Sequence, residues 1–168
     1  RSKSKSSSSL WVKVGGEDYK TRIVDGLLEI KAKSSMLGYL NAESPFTKDG
    51  WFKTGDYVEV DGDYIKIIGR KSEIINIGGE KVYPQEVENL ILSMEGVADV
   101  LVYAEKNAII GNVVSAKVKI KSGFSEKETI QSIKKFCYEN LERYKVPVKL
   151  IAVKKEQYSG RFKKQRDL

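Results

Sequence analysis

The sequence contains no histidine and a single cysteine among its 168 residues. Histidine is the commonest general base and the commonest zinc ligand, so its absence disfavours zinc enzymes and Ser-His hydrolases. Any proton transfer is left to Lys, Asp, Glu and Tyr side chains. One cysteine cannot form an intramolecular disulfide, and Cys137 falls on the apolar face of a predicted helix. We therefore predict a packing role for Cys137 and no metal site.

Long apolar runs are also missing. No stretch approaches the roughly 20 apolar residues that cross a bilayer, and the Ser/Lys-rich start has no apolar signal-peptide region. We expect no membrane span and a cytoplasmic location. Since 40% of the 168 residues are hydrophobic, the chain can form one medium domain or two small globular domains.

Basic residues exceed acidic ones, which gives a formal net charge of +7. This excess favours anionic partners, which include nucleic acids, membrane surfaces and the phosphates of small molecules. The basic residues concentrate at the two ends, in "RSKSK" and "GRFKKQR". They are not interleaved with exposed aromatic residues, so a nucleic-acid-binding protein is disfavoured and no nucleic acid partner is expected.

Residues 10–68 show short β-rich runs separated by turn residues. Positive φ angles in tight hairpin turns favour Asp-Gly steps, so Asp25-Gly26 and Asp61-Gly62 predict two hairpins. The runs that predict strands are "LWVKV", "YKTRIV", "LLEIKA", "YVEV" and "YIKII".

The second half alternates helical and strand patterns. Pro84 begins a predicted helix whose apolar residues share one face, namely Val87, Leu90, Ile91 and Met94. Strands are predicted over 97–104, 112–120 and 148–153. Ser125 and Glu128 form a capping box before a second amphipathic helix. The side chains of that helix expected to face inward are Ile130, Ile133, Cys137 and Leu141.

These patterns predict an α+β fold with two domains. Residues 1–69 form a β-rich subdomain, and residues 70–168 form a small α+β domain with a three-stranded sheet and flanking helices. Residues 50–88, which straddle the boundary, contain close together an aromatic pair expected to be exposed, a Thr-Gly-Asp turn, a Gly-Arg pair and a Gly-Gly step. Neither a core nor a plain β-meander requires that set, so a site served from both domains is indicated.

Four motifs carry a family resemblance. "LLEIKAKSSMLGYL", "DGWFKTGD", "GRKSEIINIGGEKVYPQEVE" and "YKVPVKLIAV" resemble, in order, motifs of the adenylate-forming (AMP-binding) superfamily of acyl- and aryl-CoA synthetases, luciferases and amino-acid-activating domains. The resemblance implies an enzyme that converts a carboxylic acid and ATP into an acyl-adenylate and pyrophosphate. A thiol then displaces AMP, and a small C-terminal domain rotates between the two half-reactions.

The resemblance covers only the last part of such an enzyme. It identifies residues 1–69 as the closing β-subdomain of the large N-terminal domain, a distorted barrel, and residues 70–168 as the mobile C-terminal domain. The phosphate loop and acyl pocket of the family lie outside this chain, so the chain alone is expected to be inactive. The implied ligands are ATP, Mg²⁺ held mainly by the N-terminal domain, a small carboxylic acid, and CoA or the phosphopantetheine of an acyl carrier protein.

The resemblance assigns nucleotide contacts to two residues. Asp56 in "KTGD" would accept hydrogen bonds from the two ribose hydroxyls, for which a carboxylate is well suited. Arg70 in "GR" would approach the ribose and phosphates as a permanently charged fork. The alternative interpretations are a turn aspartate after Gly55 and a surface arginine at a strand end.

The same resemblance places the hinge at Lys71 and Ser72. A small residue at position 72 can absorb a change in φ and ψ. Gly78 and Gly79 would line the thiol tunnel after rotation, since glycine permits close approach of a ligand; a plain turn is the alternative.

Family enzymes place a catalytic lysine near the C-terminus to offset charge at the α-phosphate. This chain reads "SGRFKKQR", with Arg161 in the simplest register and Lys163 in a second register. Lys163 is preferred, because arginine and lysine are not equivalent at a tight transition-state contact. A solvated basic tail is the structural alternative.

Two further alternatives concern the class of protein. The segment "GGEKVYPQEVE" is more like acyl-CoA synthetases than amino-acid adenylation domains. A non-catalytic binding or interaction module of the same fold also fits the sequence.

Overall fold

The computed structural model describes residues 11–13, 16, 18–33, 44–109 and 111–154. The chain forms two compact units that divide between Ser72 and Glu73, which we call unit 1 and unit 2. Unit 1 is built from strands, and unit 2 combines strands with two α-helices among the residues described. The predicted α+β class is therefore confirmed. The division follows Ser72 rather than residue 69.

Unit 1 is an antiparallel sheet of five strands with the order β1-β5-β4-β3-β2. The predicted β-rich subdomain is confirmed, and over the described residues β1 and β2 lie at the edges of its sheet. The strands are β1 (Trp11–Lys13), β2 (Tyr19–Val24), β3 (Leu27–Ala32), β4 (Phe52–Asp61) and β5 (Tyr64–Arg70).

Both predicted hairpins form, but with different turns. Between β2 and β3, Asp25 and Gly26 both have positive φ angles of 52° and 78°, as a type I′ turn requires. Between β4 and β5, Asp61 pairs with Tyr64, so the turn consists of Gly62 and Asp63. Only Gly62 has a positive φ there, the pattern of a type II′ turn. The prediction that Asp61 belongs to the turn is wrong, because Asp61 is the last residue of β4.

One face of the unit 1 sheet carries a cluster of aliphatic residues. Leu28, Val58 and Ile65 are buried there and contact one another. Their cross-strand neighbours on this face remain exposed, with Val12 at 59% and Ile67 at 47%. The apolar face of unit 1 is therefore covered only in part.

Unit 2 contains a two-stranded hairpin and a three-stranded sheet of order β10-β9-β8. β8 and β9 are antiparallel, whereas β10 runs parallel to β9. The predicted three-stranded sheet with flanking helices is confirmed. The elements are β6 (Ile75–Ile77), β7 (Glu80–Val82), α1 (Pro84–Leu92), β8 (Val97–Asn107), β9 (Gly111–Ile120), α2 (Glu126–Asn140) and β10 (Lys149–Ala152).

The core of unit 2 lies between the sheet and the two helices. Val87 and Ile91 of α1, together with Ile133 and Cys137 of α2, are fully buried, which confirms the predicted inward faces at these positions. Burial raises the pKa of the Cys137 thiol to about 11, so the thiolate is disfavoured at neutral pH. The environment of Cys137 accordingly fits packing rather than reactivity.

Two polar contacts fix the helices of unit 2. The Ser125 hydroxyl oxygen accepts a hydrogen bond from the Glu128 N–H, which confirms the predicted N-cap of α2. In α1, the fully buried Glu88 accepts a hydrogen bond from the Val102 N–H at 2.9 Å. This contact ties α1 to the central part of β8.

Candidate functional site

The Thr-Gly-Asp segment forms a bulge in β4. Leu27 pairs with Tyr57 and Glu29 pairs with Lys53, so residues 54–56 lie opposite a single residue of β3. A bulge of this kind bends the strand and re-aims the side chains that follow. Bulges are common beside functional sites for that reason.

The Thr54 side chain occupies the gap that the bulge opens. Its hydroxyl donates to the Leu28 carbonyl oxygen at 2.9 Å and accepts from the Asp56 N–H at 3.1 Å. Between the two residues, Gly55 has φ +77°, and a Cβ built on it would meet nothing within 4 Å. The positive φ of the bulge, and not lack of space, therefore accounts for the glycine.

The bulge sets Asp56 directly opposite Arg70 on β5. Arg70 Nε lies 3.3 Å from Asp56 Oδ1, with the Asp56 side chain 17% exposed and the Arg70 side chain 60% exposed. The structure thus brings together the two residues that the sequence singled out for nucleotide contacts. A carboxylate with two acceptor oxygens stands beside an arginine that retains further N–H donors.

The aromatic pair before the bulge, Trp51 and Phe52, is half-buried rather than exposed as predicted, and both rings contact other side chains. The guanidinium of Arg22 lies 4.4 Å from the centroid of the Trp51 ring, and Lys31 Nζ lies 6.0 Å from it. The Phe52 ring lies 5.4 Å from the Phe46 ring, measured between centroids. Neither ring needs a ligand to explain its presence.

Arg22 also joins two carboxylates of this region. Its Nε donates to Glu29 Oε2 at 2.7 Å, and its Nη1 donates to Asp49 Oδ2 at 2.9 Å. The hydrogen bond with Thr47 and the one from Arg22 lower the pKa of Asp49 to about 2. Asp49 is therefore a stable anion that holds the loop preceding β4.

Lys71 and Ser72 are exposed residues at the start of a short 3-10 helix, Lys71–Glu73. The two compact units divide within this helix, between Ser72 and Glu73. The predicted hinge residues thus lie where the chain passes from unit 1 to unit 2. Their role in a rotation stays a prediction.

Gly78 and Gly79 are the two central residues of the turn between β6 and β7, where Ile77 pairs with Glu80. Their φ angles are +56° and +95°, and a Cβ on either would meet nothing within 4 Å. A tight hairpin turn accounts for both glycines without a ligand. A contribution to a thiol tunnel stays a prediction.

Arg161 and Lys163 lie outside the described residues, so the choice between them also stays a prediction.

A different lysine, Lys145, forms ion pairs with two carboxylates, and the sequence analysis did not identify it. Lys145 Nζ lies 2.9 Å from both Glu86 Oε1 and Glu142 Oε2, and its side chain is 12% exposed. Burial alone would lower the pKa of Lys145, but hydrogen bonds to the two carboxylates outweigh it and raise the pKa.

The described ranges contain neither a cluster of metal ligands nor a membrane-spanning helix. No group of three or more His, Cys, Asp or Glu side chains is arranged there to hold a metal ion. Within the part of the chain that the structure describes, no helix is long and apolar enough to cross a bilayer.

Comparison with known proteins gives a consistent group of relatives. Residues 86–163 match the model of the AMP-binding enzyme C-terminal domain. The chain is 36% identical over 134 residues to the 2-succinylbenzoate–CoA ligase of Listeria innocua serovar 6a, a match that covers 77% of this chain and 28% of the ligase. It is 35% identical over 126 residues to the probable acyl-activating enzyme 6 of Arabidopsis thaliana, covering 73% of this chain and 23% of that enzyme.

A solved structure extends the match to the fold. The o-succinylbenzoate CoA synthetase of Bacillus subtilis, in complex with the acyl-adenylate intermediate OSB-AMP, aligns with a TM-score of 0.78 at 27% identity. That alignment covers 90% of this chain and 33% of the synthetase. The chain therefore spans about a third or less of the length of these relatives. It belongs to the adenylate-forming (AMP-binding) superfamily, is acyl-CoA synthetase-like, and corresponds to the C-terminal portion of that family's enzymes.

Proposed function

We propose that this chain is the C-terminal portion of an ATP-dependent acid–thiol ligase of the acyl-CoA synthetase type. The observation that carries the proposal is the Asp56–Arg70 pair, which lies at a bulge just before the linker between two compact units. In this proposal the longer enzyme activates a small carboxylic acid and transfers the acyl group to a thiol in the cytoplasm. The isolated chain is inactive, because the phosphate loop and acyl pocket are supplied elsewhere.

Asp56 and Arg70 bind the nucleotide in this proposal. The carboxylate of Asp56 accepts hydrogen bonds from the two ribose hydroxyls of ATP or AMP. Arg70 Nε already contacts Asp56, and the remaining N–H donors of the guanidinium are directed to the ribose and phosphate edge. The larger exposure of Arg70 supports a role at the rim of the site.

The chemistry proceeds in two half-reactions. A carboxylate oxygen of the acid attacks the α-phosphorus of ATP, and pyrophosphate leaves with the electron pair of the broken P–O bond. Lys163, or Arg161 in the alternative register, offsets the charge that develops at this phosphate. A thiolate sulfur then attacks the acyl carbon, and AMP leaves. Mg²⁺, held mainly by the remainder of the enzyme, neutralises the phosphates when bound.

Movement at Lys71 and Ser72 separates the two half-reactions. Rotation of unit 2 carries the basic C-terminal segment away from the nucleotide and brings the turn of Gly78 and Gly79 toward the entering thiol. The relatives named as CoA ligases favour CoA over the phosphopantetheine of a carrier protein as the acceptor. They also favour a small organic acid as the acyl donor.

The incomplete core of unit 1 supports its place in a larger body. Among its described residues, three are buried on the apolar face, while Val12, Ile23, Val60 and Ile67 are each more than 40% exposed. A sheet of this kind gains stability when its apolar face packs against further protein.

The nucleotide role is tested with Asp56→Ala in the full-length enzyme. Loss of charged hydrogen bonds to the ribose should weaken ATP binding by about 1.5–3 kcal/mol, measured by isothermal titration calorimetry. Glu59→Ala is the matched control, because Glu59 pairs with Lys66 across the same two strands at 3.4 Å and stays exposed. The control should bind ATP like the wild type. An unchanged affinity in folded Asp56→Ala would contradict the proposal and return Asp56 to a turn role.

A further inference from the structure

The backbone of the β4 bulge leaves a gap in the sheet ladder that one side chain fills. Over residues 54–56, β4 contributes three residues opposite one residue of β3, so regular pairing cannot satisfy every backbone group there. Leu28 presents its carbonyl oxygen and Asp56 its N–H at this point, and both are bonded to the Thr54 hydroxyl. Thr54 thus replaces the missing ladder contact between the two strands.

The chemistry of this bridge restricts the side chain at position 54. The group must donate one hydrogen bond and accept another from a single atom, which a hydroxyl does and a methyl cannot. It must also contact the backbone N–H of the residue two positions later in the chain, a contact typical of serine and threonine. A residue of equal volume without the hydroxyl would leave the Leu28 carbonyl and the Asp56 N–H without this partner.

We propose that Thr54 is a positioning residue for nucleotide binding, which fixes the backbone of Asp56 so that its carboxylate stands at Arg70. This inference rests on the proposed nucleotide role of Asp56. The Asp56 N–H is held at 3.1 Å by the Thr54 hydroxyl, while the carboxylate of the same residue lies 3.3 Å from Arg70 Nε. Thr54 acts on the ligand only through Asp56.

The experiment measures ATP binding in the full-length enzyme for Thr54→Val, which keeps the shape and removes the hydroxyl. We expect the dissociation constant for ATP to rise about 3- to 10-fold, the range for losing one or two neutral hydrogen bonds that order a ligand group. The kcat at saturating ATP should change by less than about 2-fold, since the affinity effect is then overcome. Thr54→Ser restores the hydroxyl and should restore wild-type affinity.

Thr21→Val is the matched control. Thr21 lies in β2 of the same sheet, is partly exposed, and its hydroxyl makes no hydrogen bond with the described residues. If Thr54→Val weakened ATP binding only because any threonine-to-valine change destabilises this sheet, Thr21→Val would weaken ATP binding as well. We expect its ATP affinity to match that of the wild type.

The decisive measurement is a double-mutant cycle. In an Asp56→Ala background, Thr54→Val should change ATP affinity by less than about 2-fold, because the carboxylate that it positions is gone. Equal loss in both backgrounds would overturn the positioning role.

The single variants separate this inference from the proposed function. If Asp56→Ala alone leaves ATP affinity unchanged, the proposed function fails. If Asp56→Ala weakens binding but Thr54→Val does not, only this inference fails. Should Thr54→Val not fold, Thr54→Ala is tested, and failure of both to fold overturns the inference in favour of a structural role.

Discussion

At the scale of single residues, Arg22 makes three side-chain contacts that connect separate parts of unit 1. One guanidinium reaches the buried carboxylate of Glu29, the exposed carboxylate of Asp49 and the face of Trp51. The planar fork makes these contacts at once, which a lysine cannot do. Arg22 therefore joins β2, β3 and the loop before β4 with a single side chain.

The lowered pKa of Asp49 predicts a defined dependence of stability on pH. The folded-state pKa is about 2, below the ordinary value of 3.8, so the ionised form is favoured by folding. Its contribution is present above pH 4 and is lost as the pH falls toward 2. Asp49→Asn should therefore be less stable than the wild type at pH 6, and the difference should shrink as the pH falls from 4 toward 2.

Thermal unfolding followed by circular dichroism at several pH values measures this difference. Thr47→Ser is the control, because it keeps the hydroxyl whose hydrogen bond contributes most to the shift. It should show the pH profile of the wild type. A gap between Asp49→Asn and the wild type that stays constant from pH 6 to pH 2 would contradict the assignment.

The site was partly visible in the sequence at this scale. Asp56 and Arg70 were identified through the resemblance of "KTGD" and "GR" to family motifs, and the fold places them opposite each other. Thr54 was missed, because its role depends on how β3 and β4 align across the bulge. The spacing Thr-Gly-Asp, with a hydroxyl two residues before the aspartate, is the signal that could have shown it.

At the scale of elements, strands and helices with strong local signals were predictable. β2 and β3 match their predicted bounds, since an Asp-Gly turn sits between two alternating runs. The helices follow from Pro84 at the start of α1 and from Ser125 before α2.

Elements whose pattern is short or interrupted were missed or misplaced. β6 and β7 have three residues each, too few to show alternation, so these strands were not predicted, and for their turn a thiol tunnel was preferred to a plain turn. β4 begins at Phe52 rather than Tyr57, because the bulge breaks the alternation that marks a strand.

The ion pair between Glu86 of α1 and Lys145 of the 3-10 helix Arg143–Lys145 predicts that replacing Lys145 lowers the stability of unit 2. Lys145→Met keeps an apolar stem but leaves Glu86 and Glu142 without their cation. We expect a loss of about 1.5–3 kcal/mol in the free energy of unfolding, typical of hydrogen bonds to charged groups, measured by urea denaturation.

Lys135→Met is the control for this loss. Lys135 lies 3.9 Å from Glu139 on the exposed side of α2, with 79% of its side chain accessible. Removing it should change the free energy of unfolding by no more than about 0.5 kcal/mol. Equal effects of the two substitutions would show that the Lys145 site stabilises nothing beyond a surface ion pair.

At the scale of the whole molecule, the position of Ser72 between the two units predicts that Ser72→Pro impairs one half-reaction more than the other. Proline at position 72 fixes its own φ near −65° and disfavours helical angles at Lys71. If domain rotation passes through this linker, Ser72→Pro in the full-length enzyme should trap one orientation. One half-reaction should then survive while the other falls by an order of magnitude or more.

Both half-reactions are measured separately, by ATP–pyrophosphate exchange and by transfer from preformed acyl-adenylate to CoA. Ser72→Ala is the control, since alanine leaves the backbone free to move, and it should retain both activities. Equal loss of both activities in Ser72→Pro would indicate misfolding, and full retention would place the hinge elsewhere.

The parallel pairing of β10 with β9 sets an order of events during synthesis on the ribosome. β8 and β9 are neighbours in sequence and can pair as soon as both have emerged, whereas β10 joins the sheet only after α2 has crossed over it. All of unit 1 precedes these elements in the chain. The five described strands of unit 1 are therefore synthesised while the sheet of unit 2 still lacks its edge strand, and the backbone N–H and C=O groups along that edge of β9 stay unpaired until Lys149–Ala152 are synthesised.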